Sequence, residues 1–578
     1  MPKIKYIGSS ENFSELAYTG KQSVWKIAQA EWRPDAEAYQ LMGTGQFEFD
    51  AQPVVAVAAA NGTTNFLAGP IMVTAHPSND IGTPGQQGFG VGICPVLPTG
   101  YSALYGTQDP AGDNYGNYQY SDGSIMVWVP AFYFRLGHTQ NPTFATYGAN
   151  SIDVKSPGFF TNEAAANAQG YYLHRAFVNA GANQIGFFRD KYDCSQNGTV
   201  ASSIARAMPM VSAPGAGQVG FTGCTANGQT PVNAYYGALQ AAKSRGAKFF
   251  PESVFMADAL ARISEAHAQA SKAATFCAWY DAAGITNFVK GNNNNALKDI
   301  NDTTVTYITA GASSQPNMAQ TGSGSPFAKT THNGQACGIA DTNGNIYKIN
   351  PGMTSIAVSK AITAATQANP VSITSAAHGY VTGTVVNIRS VVGMTQINDR
   401  FYTVTVVDAN TYTLDGVDGT GYTAYTSGGT GNTGIFYTLK TSVDIAAVTS
   451  GASTATDHWG AAGVAAQFDA VTVNFTTAAA ANTNSTKFGN GTNAVFDMST
   501  ANGRALTMLG LPAAGGTSAA GISLFGSDEF YQYILDQLCV ISRGSWSNGG
   551  NAGVRTRALN SARASAGVSV GVCAASYL

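Results

Sequence analysis

The sequence predicts an α+β fold in which helices are few and strands are short. Three observations carry that prediction. Short runs of β-branched and aromatic residues recur along the chain, separated by Gly, Pro, Asn and Ser. Two stretches, Val232–Arg245 and the residues from Pro251 onward, stand out as helices. Of 578 residues 66 are glycine, and only 11% are charged, against roughly 25% in an ordinary soluble protein. Solubility therefore rests on neutral polar groups in abundant loops. The 44% hydrophobic content suffices for a sizeable core, and at ~100–200 residues per domain the length predicts several domains or one enlarged core with insertions.

Residues 1–50 read as a small module. Lys3–Ile7 is a strand, Asp35–Leu41 a helical turn or two, and Gln46–Phe49 alternates as a short strand. A Pro/Ala/Gly linker follows from Ala51 to about Pro70, and the span to residue 125 is loop-rich β structure, with Gly82-Thr83-Pro84-Gly85 and Pro110-Ala111-Gly112-Asp113 as turns.

The main region is predicted to run over 126–360 and 435–578. It opens with Met126-Val127-Trp128-Val129-Pro130. Pro251 suits the first position of the second helix, and Glu252 suits the positive end of its dipole. The apolar stripe is Met256, Leu260 and Ile263, with Asp258, Arg262 and Glu265 on another face. His267 continues the stripe and reads as a structural, buried histidine. Between the two parts, 361–434 has a different texture. Val371/Ile373, Val385/Val386/Ile388, Phe401–Val406 and Thr411–Leu414 are strand candidates with nothing helical between them, which predicts a small inserted β domain. The last short strands are Leu538–Ser542, Val554–Leu559 and Val568–Cys573, and Val568 and Val570 are expected to fill the core.

Composition excludes several functions. A formal charge of −3 leaves no basic excess to neutralise phosphates, so no nucleic-acid partner is expected. Apolar runs such as Pro53–Ala60 are far short of the ~20 residues of a membrane span. The start, Met1-Pro2-Lys3-Ile4-Lys5-Tyr6, has no apolar stretch of a secretion signal. Seven scattered cysteines fit free thiols rather than a disulfide framework.

No catalytic constellation emerges, and the chain is not expected to be an enzyme. It lacks a His-Glu-x-x-His helix, a Cys-x-x-Cys pair and a P-loop. His332 and Cys337 are two isolated ligands where zinc needs three or four. Asp341-Thr342-Asn343-Gly344-Asn345 has a misplaced glycine and no terminal Glu for a calcium loop, and reads as a tight Asx/Gly turn. Asp528-Glu529 is explained by the start of a helix carrying Phe530, Tyr531, Ile534 and Leu535. No metal and no cofactor are expected.

Four segments, in order, resemble one family. They are Met126-Val127-Trp128-Val129-Pro130-Ala131, then Ile185-Gly186-Phe187-Phe188-Arg189-Asp190-Lys191-Tyr192-Asp193, then Cys337-Gly338-Ile339-Ala340-Asp341-Thr342-Asn343-Gly344-Asn345-Ile346-Tyr347, and Arg543-Gly544-Ser545-Trp546-Ser547-Asn548-Gly549. They resemble successive core strands and turns of the formylglycine-generating-enzyme type of C-type lectin fold, shared by phage receptor-binding proteins of the major tropism determinant kind. Lys248–Phe255 sits where that family begins its second helix. The oxidase members use a close cysteine pair after the Gly-Ser-Trp-like turn. Here Gly549–Asn560 holds no cysteine, and Cys573 reads as a core thiol. The insert resembles small β modules of phage structural proteins that are similar to a domain of ubiquitin-activating enzyme, and residues 1–50 resemble N-terminal modules of phage tail proteins.

The resemblance implies a virion protein of a tail fibre or tail tip, with residues 1–50 attaching it to other virion proteins and the C-terminal face binding a host-surface glycan or protein. It further implies a homotrimer. The expected contact residues are Trp546, Asn548, Asn551, Arg555, Arg557, Asn560 and Arg563, beside Ser547 and Ser565. Arg and Trp are common interface anchors. On a strand Val554–Leu559, Arg555 and Arg557 would share one face. The competing reading packs Trp546 in the core and has Arg555 and Arg557 form salt bridges between subunits. A structural virion component, such as a collar, baseplate or capsid decoration, is the first alternative function. An enzyme degrading surface glycan is the second.

Overall fold

The computed structural model describes residues 79–224, 233–447 except 285, 464–475 except 465, 484–488, 495–512 and 527–578, together with the backbone of several strands before residue 79. The chain divides into two units, Met1–Ala75 and His76–Leu578. In the first, Lys3–Tyr6 is the central strand of an antiparallel sheet, flanked by Ala30–Trp32 and Phe47–Phe49. Val55–Ala58 and Thr64–Leu67 pair as a hairpin within the stretch read as linker. The helical turn expected over Asp35–Leu41 lies outside the described residues.

The second unit is α+β and is built around two six-stranded sheets. The first has the order Phe250–Pro251, Ala574–Ser576, Gly186–Asp190, Ile125–Pro130, Asn117–Tyr120 and Tyr101–Ala103, all antiparallel. Its centre is apolar on both faces: Val127 and Val129 pack into one core cluster, Met126 and Trp128 into another. Two-sided burial explains why Met126–Pro130 reads as a continuous apolar run rather than an alternating one. The second sheet runs Ser485–Lys487, Glu529–Gln532, Arg557–Leu559, Val540–Ser542, Tyr347–Asn350 and Val570–Gly571, with two parallel pairs among antiparallel ones. Val570–Gly571 and Ala574–Ser576 thus place neighbouring residues in different sheets.

Both expected helices form. Ala234–Lys243 begins at Asn233, whose side chain accepts from the Tyr236 N–H. The second helix, Val254–Ala270, begins later than Pro251. Phe250–Pro251 is drawn into the first sheet opposite Ala574–Ala575, and Ser253 takes the cap by accepting from the Met256 N–H. This helix is buried on every side. Met256, Leu260 and Ile263 enter the main apolar core, while Asp258, Arg262 and Glu265 are enclosed by the C-terminal part of the chain. His267 is buried and structural: its Nδ1 accepts from the Gly85 N–H and its ring stacks on Phe89.

The expected helix after Asp528 is instead the strand Glu529–Gln532. Phe530 and Gln532 are buried while Glu529 and Tyr531 are half-buried, a period of two set by parallel pairing with Arg557–Leu559. The last strands are shorter than expected, at Val540–Ser542, Arg557–Leu559 and Val570–Gly571. Val568 and Val570 are half-buried rather than enclosed, and Val570 packs against the edge of a core cluster.

The inserted region hangs on a long antiparallel ribbon in which Met353–Ala361 pairs with Ser427–Leu439 from Met353↔Thr438 to Ala361↔Thr430. Beyond it the sheet continues through Val385–Val392, Arg400–Asp408, Thr411–Leu414, Ser372–Thr374 and Ala364–Ala365. Ile373, Val386, Ile388, Val404, Tyr412 and Leu414 form a separate apolar core. All seven cysteines are free and buried.

Candidate functional site

The segment 543–565 starts with two residues of positive φ, Arg543 and Gly544, both at 79°. At Gly544 a Cβ would come within 2.5 Å of the Ala552 Cβ, so glycine is required there by both conformation and space. The turn that follows is fixed by Asn548, whose Oδ1 accepts from the Ser545 N–H and hydroxyl. Trp546 points inward. It is buried among Val211, Ala312, Met318 and Ile346, and its backbone N–H donates to the Asn345 carbonyl.

Arg555 and Arg557 are buried too, which corrects their expected place on an outward face. Arg555 reaches the long helix, donating through Nη1 to Asp258 and through Nη2 to Glu265. Arg262, from that same helix, donates to Asp258 Oδ2 at 3.1 Å and to the Thr507 carbonyl at 3.0 Å, and its guanidinium lies 3.8 Å from the centre of the Phe496 ring. His174 Nε2 stands 3.0 Å from Asp258 Oδ2. Burial by itself raises a carboxyl, but Arg262, Arg555 and His174 overcome it and hold Asp258 far below the usual carboxylate range.

A second knot adjoins the first. Glu252 Oε1 lies 3.3 Å from Arg189 Nε and 3.2 Å from Arg543 Nη2, with Arg557 close behind. Its burial is outweighed by these three guanidinium groups, which hold the carboxyl down to about 2. Arg557 donates only to backbone, to the Thr556 carbonyl at 2.9 Å and the Val554 carbonyl at 3.3 Å. Burial and the neighbouring Arg543 push it down to about 9. Every residue of the strand Arg557–Leu559 is internal, and Arg555, two positions before it, ties the segment to the long helix.

The other expected contact residues stay at the surface. Asn560 is exposed, as are Ser547 and Ser565, while Asn548, Asn551 and Arg563 are half-buried. Asn551 Oδ1 accepts from Lys487 Nζ, and the Arg563 backbone is bonded in both directions, to Gln537 and Tyr235. What remains outward is two loops, around 547–551 and 560–566, on a frame locked from beneath by ion pairs.

A cleft beside this segment joins Glu265, Asp528 and Arg555 to three residues that sequence reasoning passed over, Asn287, Phe288 and Gly553. Asp528 Oδ2 accepts from the Arg555 N–H at 2.7 Å. Burial pushes its carboxyl up to about 8 in spite of Arg555 and Arg557 nearby. A Cβ on Gly553 would lie 1.8 Å from Asp528 Oδ1, so the close approach needs glycine. The signal for this cluster in the sequence is the trio Asp258, Arg262 and Glu265 on a helix of a chain that otherwise spends few charges.

The remaining candidates are structural. His332 Nε2 lies 3.2 Å from the Gly90 carbonyl and its Nδ1 accepts from the Ile339 N–H, and burial pushes the imidazole down to about 3. Asp341 and Asn345 adopt φ of 56° and 62° in a tight buried turn, and Asp341 accepts from the Gly322 and Asp193 N–H groups. Cys573 donates its thiol hydrogen to Asp193 inside the core. Among the described residues no group of three or more His, Cys, Asp or Glu side chains is placed to hold a metal ion, and no helix is long and apolar enough to cross a membrane.

Residues 370–433, the inserted β domain, match the family model of the ubiquitin-activating enzyme E1 FCCH domain. No curated protein matches the chain.

Proposed function

We propose that the chain is a phage virion protein of a tail fibre or tail tip, which binds a host-surface receptor through the exposed loops of a C-terminal lectin-like domain. The observation that carries this reading is the way the four family-like segments come together. Met126–Pro130 and Gly186–Asp190 pair directly, Trp128 opposite Phe188, in the first sheet. In the second sheet, Tyr347–Asn350 and Val540–Ser542 pair directly, leading out of the third segment and into the fourth. The helix begins at Val254, within the segment where the resemblance expects one. The receptor surface in this reading is Ser547, Asn548, Asn551, Asn560, Arg563 and Ser565. These side chains adapt their hydrogen bonds to a partner while the buried arginines keep their backbone rigid. The first unit, Met1–Ala75, serves attachment to the particle, and trimeric assembly multiplies weak contacts into avidity.

A structural role in a collar, baseplate or decoration protein is the second reading. It is favoured by the burial of Trp546, Arg555 and Arg557, which removes the strongest interface anchors from the surface. Binding of the full chain to host cells separates the two. Replacing the exposed Asn560 with Ala should leave melting unchanged and weaken attachment about tenfold. Wild-type binding no better than that of an unrelated virion protein would refute receptor binding.

A further inference from the structure

We propose that the cleft between the long helix and the 553–555 turn is a subsite for one hydroxyl of a neutral sugar, with Phe288 at its rim. The inference rests on the receptor-binding reading and gives it a ligand class. The cleft offers about 20 Å³ of free space, room for about one water-sized group. Two buried side chains that line it carry an atom with no partner among the described residues. Asn287, 4% exposed, commits Nδ2 to the Ala268 carbonyl at 2.7 Å and leaves Oδ1 unpaired. Arg555, 1% exposed, commits both terminal nitrogens to carboxylates and leaves Nε unpaired. One is an acceptor and the other a donor, and buried groups of this kind are costly until satisfied.

Charge narrows the ligand. A cation would meet the Arg555 guanidinium, and an anion would meet the Glu265 carboxylate. A neutral group that both donates and accepts meets neither objection, and a hydroxyl is the smallest of these on a carbon ligand. The walls Ala268, Phe288, Val289 and Val554 supply apolar contact for the carbon bearing it. Phe288 is half-buried, with Lys290 Nζ held 4.2 Å from the centre of its ring. Asp528, kept protonated to about pH 8 by burial, adds a second group able to donate or accept.

The test uses the full chain with methyl α-D-glucopyranoside and methyl α-D-galactopyranoside as probes, by saturation-transfer NMR and by soaking crystals. The expected result is transfer to at least one sugar, with electron density for its hydroxyl beside Asn287 Oδ1. Asn287→Ala and Phe288→Ala should each lower affinity about tenfold. Phe288→Ala, at a half-exposed position, keeps the test valid if Asn287→Ala fails to fold. Density for an ordered water only, no transfer to either sugar, or affinity unchanged in Phe288→Ala would overturn the proposal. Cell attachment is read in parallel. Sugar binding without attachment removes the receptor reading and leaves the subsite, whereas attachment undiminished by Phe288→Ala, together with no sugar binding, removes only the subsite.

Discussion

The inserted domain and the region around the long helix solve the same problem with opposite materials. In the insert, Ile373, Val386, Ile388, Tyr402, Val404 and Leu414 close an apolar core, with no buried Arg, Lys, Asp or Glu among its described residues. Around the helix, Arg262, Arg555, Asp258 and Glu265 are internal, with His174 and the Glu252 knot adjoining. Apolar packing tolerates substitution of similar volume. A buried ion network tolerates almost none, because removing one member strands the others without water. The difference teaches where each region can vary: the insert in its core volume, the helix region only in the loops above its locked charges.

The comparison can be broken most forcefully at Asp258. Asp258→Ala leaves Arg262 and Arg555 buried without their shared carboxylate and should cost about 3–5 kcal/mol, read as a loss of the main transition in urea or heat. Little change there would mean that the network does not hold the domain. In the insert, Ile388→Ala should cost about 2–5 kcal/mol, and hydrogen exchange should show the loss confined to 362–433. Spread of that loss into the helix region would contradict the separateness of the two cores.

A smaller and pH-dependent effect sharpens the contrast. The Asp528 carboxyl is raised when folded, so the folded chain holds a proton that the unfolded chain releases near pH 4. Stability from this group is therefore full below about pH 4 and falls as pH rises toward 8, by about 1 kcal/mol between pH 7 and 8. Asp528→Asn should flatten that part of the melting-temperature profile while leaving the acid side intact. On the acid side His267 and His332 contribute in the opposite sense, ahead of the buried carboxylates Asp258 and Glu252, which come into play only below about pH 4. Burial holds the two imidazoles down to about 4 and about 3, so stability is lost as pH falls below about 6.5, where the unfolded imidazoles begin to take up protons. An unchanged slope in Asp528→Asn would show that the carboxyl is not the source.

The insert was the most legible part of the chain. Val371/Ile373, Val385–Ile388 and Thr411–Leu414 obey local patterns, and their partners lie within the same stretch. The long helix was legible in its stripe but not in its other face, because Arg262 reads as a solvated residue until Arg555 and the Thr507 carbonyl are beside it. Arg555 meets Asp258 across 297 positions of sequence, so no local pattern marks either as internal. The spacing of Phe530, Tyr531, Ile534 and Leu535 fits a helix. A parallel partner strand, itself contributed by the arginine segment, decided otherwise.

The placement of Ala574–Ser576 has a consequence for synthesis. This strand lies between Gly186–Asp190 and Phe250–Pro251, and the Ala574 N–H reaches Asp190 across 384 positions. At roughly 5–20 residues per second a ribosome takes on the order of 20–75 s to cover that distance. Throughout that interval the first sheet has a gap at the place of its second strand, and Asp190 waits without one of its donors. The insert, whose strands all lie between residues 353 and 439, can close in the meantime. The nascent chain thus carries a finished small domain on an unfinished large one, and the strands bordering the gap are the edges most in need of a chaperone.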